Sequence, residues 1–531
     1  MVREFLWWRD GVIYQIYPRS FNDSTGDGIG DLNGITEKIG YLAELGVNAI
    51  WLSPINPSPD VDFGYDVADY RAIDPKFGSM ADFDRLRKTA ADAGIALVMD
   101  LVLNHTSDQH PWFLSACKSR DDPYRNYYIW RDPAPDGGPP NNWQAVFGGP
   151  GWEWDEKTSQ YYYHMFYQQQ PDVNWRNPRV RQEMLDVFRF WLDKGVKGFR
   201  LDVFNVYFKD AHLRDNPFAL RGIRPFDRQI HQYDFDRPEL TGVLRDIRRV
   251  LDSYDAAYAI GETFMSTPEK AAGYTGDDLL HACFNFKVTE SRYDSCMLMR
   301  RIVEWERALG PDRWPNYAFN NHDTKRSATR FTHGENDDRL KVMAALLLSL
   351  RGTPFLYYGE EIGMRDIKVL RKDILDPIGK RYWPIFVGRD GCRAPMQWDG
   401  SPQAGFTSGD PWLPVHPNHI RRNVAQQEQD TDSLLHFYQR MLALRRAQPA
   451  LIRGEFTPLD AGARAVMAYA RKLGDETVCV LLNFSRRPHT VTLPPGKRYT
   501  SLLSSDSRPD GSALSGTFTI KGNEALITYE E

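Results

Sequence analysis

Four segments of the chain carry residues able to do ionic and acid–base chemistry. DLVLNHTSD carries His105, GFRLDVF carries Arg200 and Asp202, AIGETF carries Glu262, and FNNHD carries His322 and Asp323. Arg200 and Asp202 are two apart, so on a strand they face the same way. A buried guanidinium beside a carboxylate keeps it ionised with a low pKa, the state a nucleophile requires. Glu262 would need the opposite treatment, a raised pKa, to donate a proton near neutrality. Two carboxyls with opposed tasks suit glycosyl transfer. In the retaining form one attacks while the other serves as acid and then base, about 5–5.5 Å away. Taken singly, an acidic residue at a strand end usually caps a helix or pairs with an arginine. His105, Arg200 and Asp323 could equally form a purely structural ion network. The functional reading rests on their convergence.

Composition narrows the field. Of 531 residues, 42% are hydrophobic and 26% charged, as in an ordinary globular protein. Lys and Arg number 66 against 71 Asp and Glu, a net charge of −5 without a run of one sign. That balance offers no footprint for nucleic acid or an anionic membrane. Aromatic residues reach 13%, enough to fill cores and also to stack on sugar faces. The five cysteines (Cys117, Cys283, Cys296, Cys392, Cys479) are scattered and lack CxxC spacing, so buried thiols are expected rather than disulfides or zinc. No signal peptide and no membrane span are read; the longest apolar stretch, near Ala344–Leu350, is too short. A cytoplasmic setting is expected, as a monomer or homodimer.

The elements that must position these residues follow from periodicity. Short apolar runs at Val12–Tyr17, Asn48–Ser53, Ala96–Leu103, Gly198–Val203, Tyr258–Glu262, Leu280–Phe286, Tyr317–Asn321 and Pro354–Tyr358 read as strands buried on both faces. Helical stretches at Ile35–Leu45, Met80–Ala93, Pro178–Lys194, Pro238–Leu251, Cys296–Ala308 and Asp337–Ser349 lie between them. Eight such alternations predict a closed (β/α)8 TIM barrel over 1–103 and 173–454, with its site at the carboxyl ends of the strands. Residues 104–172, rich in Pro, Gly, Trp and Tyr, are too long for a loop and predict a small inserted domain B after strand three. A second insertion, about 364–412, follows strand eight. Residues 455–531 alternate in the manner of an antiparallel β-sandwich.

The blocks DLVLNH, QPDVNW, GFRLDVF, IGETF, FNNHD and GTPFLYYGEEIG occur in the order found in the α-amylase superfamily, glycoside hydrolase family 13, which the chain closely resembles. The opening WWRDGVIYQIYPRSFNDSTGDGIGDLNGI, with FGYDVADY and RDGCRAPMQWD, resembles the α-glucosidase and oligo-1,6-glucosidase branch. The resemblance implies Asp202 as nucleophile, Glu262 as general acid/base and Asp323 as holder of the substrate's 2- and 3-hydroxyls. It implies His105 and His322 as donors to sugar hydroxyls, Arg200 as positioner of Asp202, and Tyr65 stacked beneath the non-reducing glucose. Asp62 and Arg389 would grip the 4-hydroxyl and close the pocket, so that glucose leaves one unit at a time. Phe147 and Phe166 would shape its wall.

In DSTGDGIGD, residues Asp23, Thr25, Asp27, Ile29 (by its carbonyl) and Asp31 alternate oxygen donors as an EF-hand-like loop does, which predicts a structural Ca2+ or Mg2+. Similar loops in this branch usually have Asn where Thr25 stands, and the alternative is a polar turn held by Asx bonds. No cofactor is expected for catalysis. Val203, directly after the proposed nucleophile, accompanies α-1,6 cleavage in this branch, where Thr accompanies α-1,4. The main expectation is a retaining, exo-acting α-glucosidase on short α-glucosides of the maltose, isomaltose or sucrose type, with transglycosylation alongside. The alternative is a glucosyltransferase or sucrose isomerase on the same scaffold, although the RLDRD stretch typical of sucrose isomerases is absent after Asp323. A transporter subunit without activity is disfavoured, because the three carboxylates are all present.

Overall fold

The computed structural model describes residues 5–531. Eight parallel strands form one sheet: β1 (Ile13–Ile16), β2 (Ala49–Leu52), β3 (Ala96–Leu101), β4 (Gly198–Leu201), β5 (Tyr258–Gly261), β6 (Ala282–Cys283), β7 (Asn316–Ala318) and β8 (Thr353–Tyr357). Their order is β7-β8-β1-β2-β3-β4-β5-β6. All eight coincide with the expected runs; β1–β6 are trimmed at the ends, while β7 and β8 begin one residue earlier. The barrel is nearly closed rather than closed, for β6 and β7 share no backbone ladder. A side chain spans the seam instead: Asn316 Nδ2 donates to the Cys283 carbonyl at 2.6 Å.

Five of the expected helices appear with ends moved by one or two residues: Met80–Asp92, Pro178–Asp193, Leu240–Asp252, Ser295–Leu309 and Asp338–Ser349. Their starts follow from local chemistry. Ser79 and Asp82 form a reciprocal capping box, and Asn177 caps a helix whose first residue is Pro178. The sixth, expected over Ile35–Leu45, is two helices, Leu32–Glu37 and Ile39–Leu45, broken at Lys38. Thr36 Oγ1 bonds back to the Leu32 carbonyl at 2.7 Å, the kind of bond that bends a helix.

Inside the barrel, Trp8 stacks on Tyr258 with centroids 5.2 Å apart and plugs the amino end. Farther up, Trp51, Phe284 and Phe355 pack ring on ring at 4.9–6.2 Å. The Arg200 guanidinium lies 5.4 Å above the Trp51 ring, so the polar site begins where this aromatic stack ends. A larger apolar layer fills the space between strands and helices.

Residues 104–172 carry a three-stranded antiparallel sheet, Trp130–Arg131, Gln160–Tyr163 and Trp152–Asp155 in that order, around Trp143, Trp152 and Tyr163. Lys209, 1% exposed, ties this segment to the barrel through Asp172, Asn104 Oδ1 (2.9 Å) and the Val206 carbonyl (2.6 Å). The tail holds a six-stranded antiparallel sheet and a two-stranded ribbon, His489–Thr492 with Thr517–Ile520, packed as two layers. Among the described residues no helix is long and apolar enough to cross a membrane.

The seam makes a testable demand. Asn316→Leu keeps the branching at Cγ and removes the donor, so it should lower the urea midpoint by an amount worth about 1–3 kcal/mol. An unchanged midpoint would show that packing alone holds β6 to β7.

Candidate active site

Strand register sets the centre of the site. Asp100 on β3 lies beside Arg200 on β4, and both are essentially inaccessible. The ladder runs one residue past each strand: Asp202 N donates to the Leu101 carbonyl at 3.0 Å and Glu262 N to the Leu201 carbonyl at 2.9 Å. The two acidic side chains therefore emerge at one height. Arg200 Nη1 donates to Asp202 (2.7 Å) and Asp100 (2.8 Å), while its Nη2 donates to Glu262. Asp202 and Glu262 thus each engage one amino group of the same guanidinium.

Local backbone supports this placement. Val203 sits at φ +33°, ψ 41°, a left-handed conformation that is an outlier for a β-branched residue. It turns the chain sharply after Asp202 and sends Phe204 under β5. Gly261 makes room there, since a Cβ would lie 2.3 Å from the Phe204 ring.

The electrostatics differ from the sequence expectation. Burial pushes the Asp202 carboxyl up to about 6, and the Asp100 charge adds to the rise, although Arg200 pulls the other way. Asp202 is thus not a low-pKa carboxylate, because one guanidinium is divided among three acids. Glu262 shares that guanidinium as well.

A second ionic group closes the inner end. Arg389 pairs with Asp62 (2.7 Å), Asp376 (2.9 Å) and Asp323 (3.3 Å), and Arg393 pairs with Asp323 at 2.9 Å. Desolvation acts to raise Asp323, yet His322, Arg389, Arg393 and Arg200 together hold it far below the usual carboxylate range. Burial outweighs Arg389 at Asp62 and pushes that carboxyl up.

The histidines are neutral, for burial lowers both, His322 to about 3. His105 Nε2 lies 2.9 Å from the Tyr65 carbonyl and 3.1 Å from Gln170 Nε2. At His322 the Gln15 amide nitrogen faces Nδ1 at 2.8 Å, which places the ring proton on Nε2. That atom is 2.6 Å from Tyr65 Oη and 3.2 Å from Asp323, and Tyr65 Oη donates to Asp100 at 3.0 Å. A continuous chain therefore runs from Gln15 through His322, Tyr65 and Asp100 to Arg200.

A cavity of about 570 Å3 opens over these groups. Asp62, Tyr65, His105, Asp202, Glu262 and Asp323 line it, with Phe147, Phe166 and Arg389 completing the inner wall. Arg200 and His322 are behind the wall. His322, expected as a donor to sugar, has its two nitrogens facing Gln15, Tyr65 and Asp323. Asp100, Gln170, Asp376 and Arg393 were not singled out beforehand. Asp100 was legible, since it shares Arg200's inward parity on the neighbouring strand; Asp376 lies in an aperiodic insertion that gave no signal.

The loop of Asp23, Thr25, Asp27, Ile29 and Asp31 lies away from the cavity, against the second insertion. A Cβ on Gly28 would stand 1.9 Å from the Asp410 carbonyl. Asp23 accepts from the amides of Thr25, Gly26 and Gly28 (2.8–2.9 Å) and from Thr407 Oγ1 (2.5 Å). Asp27 accepts from Ile29 N at 2.9 Å, and Asp31 caps the following helix through Gly34 N at 2.8 Å. Among the described residues no group of three or more His, Cys, Asp or Glu side chains is placed to hold a metal ion.

Comparison with known proteins places this geometry. Residues 15–454 match the α-amylase catalytic domain family, and residues 456–525 match the maltogenic amylase C-terminal domain family. A probable α-glucosidase of Rhizobium meliloti (strain 1021) is 45% identical over 92% of this chain and 91% of its own length. An oligo-1,6-glucosidase of Parageobacillus thermoglucosidasius is 40% identical, covering 92% of each. Among solved structures, the α-glucosyl transfer enzyme XgtA superposes with a TM-score of 0.94 at 40% identity, over 99% of this chain and 100% of that one. The isomaltulose synthase SmuA from Protaminobacter rubrum follows with a TM-score of 0.92 at 34% identity over the full length of both. The chain belongs to the α-amylase superfamily, glycoside hydrolase family 13, close to its α-glucosidase and oligo-1,6-glucosidase branch, and it is an enzyme that acts on α-glucosides from the chain end.

Proposed function

We propose that the enzyme transfers α-glucosyl units with retention, from the non-reducing end of short α-glucosides to an acceptor hydroxyl, with water as a competing acceptor. The observation that carries this reading is the single guanidinium of Arg200 joining Asp202 and Glu262 at the foot of a cavity that Asp62 and Arg389 close. Asp202 attacks C1 and forms a β-glucosyl ester while Glu262 protonates the departing oxygen. Glu262 then takes the proton of the incoming hydroxyl, which attacks C1 from the opposite face and restores the α configuration. Asp323, held ionised, faces the 2- and 3-hydroxyls, and Tyr65 supplies the floor.

The sequence alone favoured hydrolysis as the main outcome. Likeness to XgtA and SmuA favours transfer. Hydrolysis keeps the support of the glucosidases at 45% and 40% identity. Incubation with concentrated maltose should give oligosaccharide in excess of free glucose. Glucose dominant at high maltose would return the enzyme to the hydrolases, and β-glucose would overturn retention. Asp202→Asn should cut activity on the order of 10^4-fold. Glu262→Gln should impair maltose far more than an activated aryl glucoside.

Asp202 must be ionised to attack, so kcat/KM should fall as pH drops through about 6. Asp100→Asn removes a like charge and a competitor for Arg200, and should move that acid limb lower. A wild-type limb near 4, the unperturbed aspartate value, would contradict the shared-guanidinium account.

A Ca2+ or Mg2+ ion at the Asp23 loop also belongs to the proposal. The all-oxygen donor set suits a hard cation, although the loop amides and Thr407 already engage Asp23. Such an ion would fasten the loop against the second insertion and take no part in catalysis. Millimolar Ca2+ should then raise the melting temperature by a few degrees over EDTA, and Asp27→Asn should erase the difference. Identical melting in Ca2+, Mg2+ and EDTA would assign the loop to its hydrogen bonds alone.

A further inference from the structure

Arg389 owes its place to a carboxylate thirteen residues earlier in the second insertion. Asp376 is fully buried and meets Arg389 three times: it accepts from the backbone amide at 2.7 Å, from Nε at 3.1 Å and from Nη2 at 2.9 Å. The two side-chain bonds use both carboxylate oxygens against one edge of the guanidinium, a fork that fixes its plane as well as its position. On the cavity side, Nη2 reaches Asp62 at 2.7 Å and Nη1 reaches Asp323 at 3.3 Å. Asp376 stands behind the guanidinium, and the other two carboxylates stand in front of it.

The anchoring carboxylate is itself held. The amides of Leu375 and Asp376 donate to Asp390 at 2.7 and 3.1 Å, so Asp376 binds the amide of Arg389 while the residue after Arg389 binds the amide of Asp376. These crossed bonds close the base of an excursion over residues 377–388. Two glycines let the sides of that base touch, since a Cβ on Gly379 would lie 2.8 Å from the Val387 carbonyl. Beyond the base a short helix, Pro377–Tyr382, sends Ile378 into the apolar cluster that contains Phe147 and Phe166. Charge follows the same division. Burial acts to raise the Asp376 carboxyl, yet Arg389 and Arg393 hold it below the ordinary aspartate value, whereas at Asp62 burial prevails. Asp376 is therefore the standing counter-ion of Arg389, which leaves Asp62 for a hydroxyl of the ligand.

We propose that Asp376 is a positioning residue, whose fork holds Arg389 as a fixed stop that reads the 4-hydroxyl of a terminal glucose. The inference rests on the α-glucosyl transfer reading above and adds the group on which its closed end depends. p-Nitrophenyl α-D-glucopyranoside and its 4-deoxy analogue, assayed with the wild type and with Asp376→Asn, test it. The wild type should favour the complete sugar about 10- to 100-fold in kcat/KM, the range of a hydrogen bond to a charged group. Asp376→Asn keeps the shape and breaks the fork, so this preference should shrink about fivefold or more, chiefly through a higher KM for the complete sugar. Asp376→Ser, which removes the fork without an amide in its place, should show the same loss. The ratio between two substrates does not depend on the fraction of folded enzyme. An Asp376 that only supports the fold would lower both substrates together and leave the ratio unchanged, which overturns the inference while transfer stands. A wild type indifferent to the 4-hydroxyl overturns it too, for Arg389 would then read nothing. No turnover of either substrate by the wild type would overturn both readings.

Discussion

One guanidinium serving three buried carboxylates is the constraint around which this protein is organised. Arg200 can neutralise only one of Asp100, Asp202 and Glu262. In a low-dielectric site the surplus negative charge is costly, which is why burial wins at Asp202 and lifts its pKa toward neutrality. The same surplus is what an oxocarbenium-like transition state would relieve. A glucosyl centre that gains positive charge between Asp202 and Glu262 supplies the missing counter-charge only as the bond breaks, so the interaction is stronger in the transition state than in the ground state. A cluster balanced in the resting protein would lack that differential.

The fold holds this imbalance in place by surrounding it with groups that cannot move. Beneath Arg200 is the Trp51–Phe284–Phe355 stack, and beside it the Gln15–His322–Tyr65–Asp100 chain, in which each hydrogen-bond role is fixed by the neighbour. Neutral His322 matters here. A charged imidazole would offset part of the surplus, and burial keeps it uncharged across the working range. On the far side, Arg389 and Arg393 pair with Asp323 and Arg389 with Asp62, while Arg200 reaches Asp323 only through its field.

Much of this was legible in the sequence, for reasons that particular residues show. Strands buried on both faces write continuous apolar runs, so β1–β5 and β8 could be placed within a few residues. β6 is only Ala282–Cys283, and its run of Leu280–Phe286 gave no hint that a side chain, Asn316, would replace the ladder at the seam. Helix periodicity did not foresee the break at Lys38, because a back-bonding Thr36 leaves the apolar pattern intact. In the site, residues within blocks shared across the superfamily could be assigned positions, but their pKa values could not. The low value expected for Asp202 counted Arg200 as its own partner, and only the structure reveals that the partner is shared.

The division between periodic scaffold and aperiodic insertion also divides the chemistry. The strands and their ends deliver Asp100, Arg200, Asp202 and Glu262, to which the proposed function gives the breaking of the glycosidic bond. The loops and insertions deliver Asp62, Gln170, Asp376 and Arg389, to which it gives the closed end of the pocket. They meet only because segments more than three hundred residues apart in the chain converge, as the Asp62–Arg389 pair does. The closed end is therefore a property of that ion-paired meeting rather than of the barrel. On the reading proposed above, bond-breaking belongs to the charge-frustrated Arg200 cluster on the strands, while the depth of the pocket is a matter for segments that the barrel's own packing does not constrain.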